Sequence, residues 1–231
     1  MKEHNAKEKT ISCAKSITKQ LNVLFSFDHA KHVIIYDFLD SYSLFKTQNI
    51  ICIIGDGHGF LGTLIKAMCP DIKILFINLG RNLLIDIECF SRIFPDITPL
   101  YFRKPEDHKQ IPKHSIIFLE AENYDYMKNL PISLFINIAS MQEMDMTVIK
   151  SYFEYMATST GNPYFYCANR EEKKLPDGSA IRFCDYPWRG ADVIIDGPCP
   201  WYQKYPIWRP PFWYPFDGTI MHRLVNFSTT L

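Results

Sequence analysis

The sequence predicts an α/β fold in which helices cover both faces of a mostly parallel central sheet. Short apolar runs, such as residues 49–54, alternate with stretches whose apolar residues recur at helical spacing, such as residues 60–68. A continuous apolar run is typical of a parallel strand that is buried on both faces. The composition is that of a globular protein, since 47% of the residues are hydrophobic and 22% are charged. We therefore expect the 231 residues to form a single domain.

The predicted domain has three regions. Residues 1–45 form a polar, helical lead-in, and residues 46–170 form a cofactor-binding core in which strands and helices alternate. Residues 171–231 form a substrate-side extension with short β segments and a stretch rich in Pro, Trp and Tyr. The strands are predicted at residues 49–54, 73–77, 97–102, 115–119, 134–138, 163–167, 180–183 and 193–195, and the core helices at residues 60–68, 83–94 and 147–156.

Composition and charge narrow the range of functions. The formal net charge is zero, so the chain as a whole does not attract nucleic acid or an anionic membrane. No apolar run is long enough for a membrane span, and the basic, polar N-terminus lacks the apolar segment of a secretory signal. The seven cysteines are odd in number and include no Cys-x-x-Cys pair, which favours free thiols in a cytoplasmic protein. We expect no nucleic-acid partner, and a homo-oligomer is left open.

Residues 55–62 carry the strongest functional signal. They read Gly-Asp-Gly-His-Gly-Phe-Leu-Gly and lie between a predicted buried strand and a predicted helix. Glycines allow a positive φ and let the backbone approach a ligand closely, and the first turn of the following helix offers free N–H groups. In an open α/β sheet, ligands bind beyond the carboxyl ends of the strands. The loop is therefore predicted to hold a nucleotide-like cofactor, although an ordinary tight turn has the same local pattern.

Two cofactors fit this loop. The glycine spacing also matches a dinucleotide fingerprint, and Asn78 with Arg81 would suit the 2′-phosphate of NADP. Two observations favour S-adenosylmethionine (SAM). Gly55 lies directly at the strand end, earlier than a dinucleotide turn requires. The Tyr124-x-x-x-Lys128 pair, which a short-chain reductase would use, precedes the strand at 134–138 and is misplaced for that fold.

Five segments of the chain resemble a bacterial family of SAM-dependent sugar O-methyltransferases. The resemblance extends from about residue 50 to residue 223, and the Asn-x-x-Ser-Met-Gln-Glu-Met sequence at 137–144 is its most specific part. It implies a Rossmann-like methyltransferase fold, SAM as cofactor, and a sugar, nucleotide-sugar or glycan hydroxyl as methyl acceptor. Ile53 and Asn78 stand where the general methyltransferase pattern has acidic residues. The matching segments are residues 54–62, 76–84, 134–144, 165–170 and 185–188.

The cofactor and catalytic residues follow from the loop and the resemblance. Transfer of a methyl group to a hydroxyl is an in-line displacement that gains from alignment and from a general base. We expect Glu143 to be the base, although Ser140-x-x-Glu143 also matches a helix capping box. His58 and Asp185 are further catalytic candidates. The cofactor-binding residues are expected to be Gly55, Asp56, Gly57, Gly59, Asn78, Leu79, Glu120, Asn137 and Ser140.

The aromatic extension suggests where the substrate binds. Flat rings with polar edges suit the apolar faces of sugars, and a guanidinium can pair with an acidic sugar or a phosphate. The same rings could instead cover the sheet or form a subunit interface. His29-x-x-His32 has helical ligand spacing but no companion ligand, so we expect no metal site. The substrate-binding candidates are Tyr186, Trp188, Arg189 and His222.

Three functions remain open from the sequence. The first is a SAM-dependent O-methyltransferase that acts on a sugar or nucleotide-sugar. The second is an NADP-dependent sugar oxidoreductase. The third is a degenerate nucleotide-binding domain without catalytic activity.

Overall fold

The computed structural model of the chain contains two compact units, residues 1–130 and 131–231. The structure describes residues 6–45, 50–109, 111–112, 115–128, 130–159, 161–176 and 178–227.

The first unit contains four parallel strands with the sheet order β3-β4-β2-β1. All five residues of β1 are buried, as expected of a parallel strand with both faces covered. Asn49, predicted as the first residue of this strand, lies outside the described residues. The strand at 97–102 is shorter than predicted and begins at Leu100. The strands are β1 (Ile50–Ile54), β2 (Lys73–Asn78), β3 (Leu100–Phe102) and β4 (Ile116–Glu120).

The described residues of the same unit form four α-helices. The lead-in forms two of them, α1 and α2, and α3 has the predicted bounds. The helix predicted to start at residue 83 begins at Gly80, because Leu79 is the last extended residue after β2. The helices are α1 (Glu8–Leu21), α2 (Phe27–Ser41), α3 (Phe60–Met68) and α4 (Gly80–Ile93), and short 3₁₀ helices occupy Pro105–Lys109 and Ala121–Met127.

The second unit continues the α/β pattern and then adds antiparallel strands. Its sheet has the order β5-β6-β12-β9, in which β5 and β6 are parallel and β12 is antiparallel to both of its neighbours. Two small hairpins pair β7 with β8 and β10 with β11. The elements are β5 (Ile132–Ile138), α5 (Met146–Thr158), β6 (Tyr164–Arg170), β7 (Glu172–Lys174), β8 (Ala180–Arg182), β9 (Asp192–Pro198), β10 (Lys204–Pro206), β11 (Trp213–Pro215) and β12 (Ile220–Asn226).

The predicted α/β class with a mostly parallel sheet is confirmed, but strands β7, β10, β11 and β12 were not predicted. Strand β12 mixes His222, Arg223 and Asn226 with apolar residues, so it lacks a continuous apolar run. It forms because β6 and β9 flank it and satisfy its backbone groups. All seven cysteines are free thiols. None of the described helices is both long and apolar enough to cross a bilayer.

A substitution at Gly62 tests how tightly α3 packs against the sheet. A Cβ atom at this position would overlap the Phe76 ring of β2 and lie 3.0 Å from Ile53 Cδ1. We expect Gly62→Ala to lower the free energy of unfolding by about 1–3 kcal/mol, because the core would be overpacked. Urea denaturation followed by circular dichroism measures the change.

Gly80→Ala is the matched control, since Gly80 also lies in the first turn of a helix. A Cβ atom there would meet only Glu120 Oε1, at 3.8 Å. We expect unchanged stability, or a gain of up to about 1 kcal/mol from the better helix propensity of alanine. Equal losses in both variants would contradict the packing described for Gly62.

Candidate functional site

The glycine loop forms a cradle at the end of β1. Gly55, Gly57 and Gly59 have φ values of 71°, 80° and 68°, the left-handed region that favours glycine. The Gly55 N–H donates to the Ile77 carbonyl at 2.8 Å and so ties the loop to the end of β2. A Cβ atom on Gly57 would meet nothing within 4 Å, whereas one on Gly59 would lie 2.8 Å from Asp86 Cα. The loop therefore packs against α4 at Gly59 and is open at Gly57.

Asp56 stabilises the helix that follows the loop. Its carboxylate accepts the N–H groups of Gly62 at 2.8 Å and Leu61 at 3.3 Å, in the first turn of α3. Burial raises the pKa of Asp56, and these two hydrogen bonds oppose the rise. The Asp56 carboxylate is thus directed at α3, and its expected contact with a cofactor stays a prediction.

Asn78, at the end of β2, is engaged with its own unit. Its Nδ2 donates to Asp86 Oδ2 at 2.8 Å, and its Oδ1 accepts the Leu79 N–H at 3.0 Å. Asn78 is buried, and both ends of its amide have partners. The side chain thus links the end of β2 to α4 rather than projecting beyond the sheet.

Asp86 is a site residue that the sequence reasoning missed. It is fully buried on α4 between the core residues Leu83 and Phe90. Its Oδ1 atom has no hydrogen-bond partner among the described residues. A carboxyl group on the apolar stripe of a helix was the signal that could have identified it.

The carboxyl groups of Asp56, in the loop, and Asp86, on α4, interact electrostatically. Burial is the main cause of the raised pKa of Asp86, and the neighbouring Asp56 carboxylate raises that pKa further. Hydrogen bonds from Asn78 and the Gly59 backbone partly oppose this effect. Asp86 therefore favours the protonated, uncharged form in the folded protein at neutral pH.

The carboxyl ends of β2 and β4 carry the groups that suit a nucleoside. Glu120 pairs in register with Asn78, and its side chain is exposed. Leu79 is 61% exposed and precedes α4. A cavity of about 680 Å³ lies here, lined in part by Gly80, Tyr101 and Glu120. A carboxylate beside exposed apolar side chains fits the ribose and base of a nucleoside cofactor.

A buried carboxamide network shapes the segment after β5 in the second unit. Asn169 Nδ2 donates to Asn137 Oδ1 at 2.9 Å, and Asn169 Oδ1 accepts the Gln142 N–H at 3.1 Å. Asn137 also donates to Ser140 Oγ and accepts the Met141 N–H at 3.1 Å. Both asparagines are fully buried, so they hold this segment in place from the core side. Asn169 was not among the predicted site residues, although it lies in a segment that carries the family resemblance.

Glu143 lies on the exposed side of that segment. It ends a 3₁₀ turn (Met141–Glu143), and its carboxylate is 3.8 Å from Lys173 Nζ. The predicted capping box does not form, because the Ser140 side chain makes no cap hydrogen bond. Helix α5 is capped instead by Asp145, whose side chain accepts the Thr147 N–H at 2.7 Å. The Glu143 carboxylate is thus left at the surface, accessible to a substrate.

The four substrate-binding candidates divide by exposure. Tyr186 and Trp188 are buried and belong to an aromatic cluster around Phe153, and Trp188 Nε1 donates to the Phe183 carbonyl at 2.8 Å. These two residues agree with the alternative interpretation of the aromatic extension, in which its rings cover the sheet. His222 is also buried, with its Nδ1 3.3 Å from the Tyr166 hydroxyl. Only Arg189 is exposed, as is the catalytic candidate Asp185.

His58, the remaining catalytic candidate, is an exposed residue of the glycine loop. Among the described residues, no group of three or more His, Cys, Asp or Glu side chains is arranged to hold a metal ion.

Comparisons with known proteins identify the fold. No family model matches the chain, and no curated protein matches it. Solved structures do match, and the three described here are 8–9% identical to this chain. A proposed RNA methyltransferase from Pyrococcus horikoshii has a TM-score of 0.57, with 9% identity over 95% of this chain and 98% of the other. A proposed sarcosine dimethylglycine methyltransferase from Galdieria sulphuraria has a TM-score of 0.55, with 8% identity over 86% of each chain.

A third structure is also similar over nearly the full length of both chains. Protein 1320 of Thermoplasma acidophilum has a TM-score of 0.54, with 8% identity over 94% of this chain and 95% of the other. At such low identities the likeness shows the fold alone. The chain therefore has the Rossmann-like fold of methyltransferases, as predicted, and its substrate has to be argued from the site.

The raised pKa of Asp86 gives a testable pH dependence. A carboxyl group whose pKa is raised by folding contributes stability that is fully present below its unfolded pKa and is lost as the pH rises through its folded pKa. We expect the free energy of unfolding of the wild type, relative to that of Asp86→Asn, to fall between about pH 5 and about pH 9 by at least about 1 kcal/mol, the equivalent of roughly one pK unit. The comparison with this variant is needed because burial also shifts the pKa values of Asp56 and His32. Urea denaturation of both proteins across the range measures the difference.

Glu88→Gln provides the control, because Glu88 lies on the same helix with a side chain that is 71% exposed. This variant should keep the wild-type slope. Equal slopes in the wild type and in Asp86→Asn would show that folding does not raise the pKa of Asp86.

Proposed function

We propose that the chain is a SAM-dependent methyltransferase. The observation that carries this proposal is the loop at 55–59, where three left-handed glycines between a buried strand and a helix leave an open face at Gly57. Its support is the Rossmann-like fold shared with two structures described as methyltransferases. The free thiols of the chain are consistent with a reducing compartment, which supports a cytoplasmic protein.

The residues of the first unit would divide the cofactor between them. The N–H groups at the open part of the glycine loop, around Gly57, would bind the carboxylate of SAM, because those of Leu61 and Gly62 in the first turn of α3 already donate to Asp56. Glu120 would accept hydrogen bonds from the ribose hydroxyls or the adenine amine, and Leu79 would contact the base. SAM supplies the methyl group, which its sulfonium activates. Asn78 would contribute less than the acidic residue usual at its position, since its amide already has partners.

For the acceptor, we propose a sugar hydroxyl, free or in a nucleotide-sugar or glycan. The support is the resemblance of residues 137–144 to the sugar O-methyltransferase family. Glu143 would take the hydroxyl proton, and its exposed carboxylate gives it access to a substrate. The carboxamide network would hold the turn that carries Glu143. Because one structural neighbour is described as an RNA methyltransferase, RNA belongs among the acceptors to be tested.

Isothermal titration calorimetry with SAM, S-adenosylhomocysteine and NADPH tests the cofactor. We expect dissociation constants of about 1–100 μM for the first two ligands and no heat from NADPH. Binding of NADPH alone would favour the oxidoreductase, and binding of none of the three would favour a degenerate domain. Either outcome would overturn the proposal.

The variant Gly57→Asn tests whether the cofactor binds at the glycine loop. Asparagine tolerates a left-handed backbone, so the loop is expected to keep its shape while a side chain enters the open space above it. We expect SAM affinity to fall at least about tenfold with little change in stability. Gly178→Asn is the matched control, because Gly178 has a φ of 87° and equally open surroundings in the second unit. Unchanged affinity in Gly57→Asn would place the cofactor elsewhere.

Glu143→Gln tests the general base. The amide keeps the shape of the side chain but cannot accept a proton, so we expect transfer to slow by about 100-fold or more while SAM affinity is unchanged. Formation of S-adenosylhomocysteine over a panel of sugars, nucleotide-sugars and RNA oligonucleotides measures the rate. Glu154→Gln, an exposed glutamate on α5, should retain full turnover. Full turnover in Glu143→Gln as well would remove Glu143 as the base.

A further inference from the structure

A second cavity in the first unit adjoins the glycine loop. It has a volume of about 360 Å³, is open to solvent, and is lined by residues of the connection between α1 and α2, the first turns of α2, the loop, and α4. Three imidazoles and a phenyl ring form its most distinctive lining: His29, His32, His58 and Phe60. We call it the histidine pocket. It is separate from the larger cavity that Gly80 and Glu120 line.

The imidazoles on α2 are held in fixed positions and are uncharged. The Ser26 N–H donates to His29 Nδ1 at 2.9 Å, so the neutral His29 ring carries its proton on Nε2. Phe60 contacts both rings, with centroid distances of 4.4 Å to His29 and 5.9 Å to His32. Burial lowers the pKa of His29, and it lowers the pKa of His32 to about 3. At neutral pH, each ring therefore has one N–H donor and one acceptor nitrogen, and since the acceptor of His29 already receives the Ser26 N–H, His29 offers a ligand its Nε2–H.

The charged groups at the rim of the pocket are paired with one another. Asp28 accepts from Lys31 Nζ at 2.9 Å, and Glu88 lies 3.8 Å from Arg92. An anionic ligand such as a phosphate would therefore meet no unpaired cation among these groups. A neutral ligand with hydroxyl groups suits the pocket better, because a hydroxyl can both donate to and accept from neutral imidazoles.

Size and location narrow the ligand further. A volume of about 360 Å³ is at the lower end for small-molecule sites, and Val23 and Ile85 add apolar wall. His58 lies between Gly57 and Gly59 and also lines the pocket, so a ligand there would lie beside the loop proposed to bind SAM. We propose that the histidine pocket binds the methyl acceptor as a small, neutral, hydroxyl-rich molecule of about one sugar ring. This inference rests on the proposed function. The diphosphate of a nucleotide-sugar would have to lie outside the pocket.

Val23→Trp tests the pocket by filling it. Val23 is 49% exposed and lines the pocket, whereas the next residue, Leu24, is 90% exposed and does not line it. Leu24→Trp is therefore the matched control, with the same new side chain one position along. We expect Val23→Trp to keep SAM affinity and to raise the KM for the sugar acceptor at least about tenfold, while Leu24→Trp changes neither value. A normal KM in Val23→Trp, or a loss of SAM affinity instead, would overturn the inference.

A direct binding measurement separates this inference from the proposed function. Protein loaded with S-adenosylhomocysteine and labelled with ¹⁵N-histidine is titrated with methyl glycosides of glucose, galactose and mannose, and separately with an RNA oligonucleotide. We expect glycosides to shift the side-chain signals of His29 and His58 in the wild type and not in Val23→Trp. His222, buried in the second unit, should not respond.

The outcomes of this titration are distinct. If S-adenosylhomocysteine does not bind, the proposed function fails. If it binds but no glycoside shifts His29 or His58, the inference alone fails. A shift produced only by RNA would also overturn it.

Discussion

The direct contact between the glycine loop and helix α4 is the constraint on which the proposed cofactor site depends. At Gly59 the backbone lies so close to Asp86 that a Cβ atom would be 2.8 Å from its Cα. The Asp86 carboxyl then binds the Asn78 side chain at the end of β2. Three elements that meet at the carboxyl edge of the strands are thereby fixed to one another. The loop remains open at Gly57, where a ligand can approach its backbone.

This constraint also accounts for the way the chain departs from the usual methyltransferase pattern. A carboxylate at position 78 would be a further buried charge beside the carboxyl groups of Asp56 and Asp86, and burial of such a charge is costly. Asparagine is neutral and donates a hydrogen bond to Asp86. The exposed carboxylate at this edge is instead that of Glu120, on the neighbouring strand β4, and it is the one proposed to contact the cofactor.

The second unit positions its own candidate residue by different chemistry. Buried amides of Asn137 and Asn169 satisfy the backbone of the turn that ends at Glu143. Neutral carboxamides can both donate and accept, so the network needs no ionised group in the core. The result is a fixed turn with an exposed carboxylate. The sequence marked residues 137–144 as specific, but it did not indicate that the asparagine and the glutamate of this segment have opposite exposures.

The sequence by itself determined the α/β class, the order of most core elements and the position of the glycine loop. These depend on local signals, because apolar runs, helical spacing and glycine act over a few residues. Tertiary structure decided what depends on partners distant in the chain. Strand β12 forms between two flanking strands, Trp188 joins the core through Phe153 and Phe165, and Asp86 turns Asn78 inward. A residue type states which bonds it can make, but only the packed chain decides which partner lies within reach.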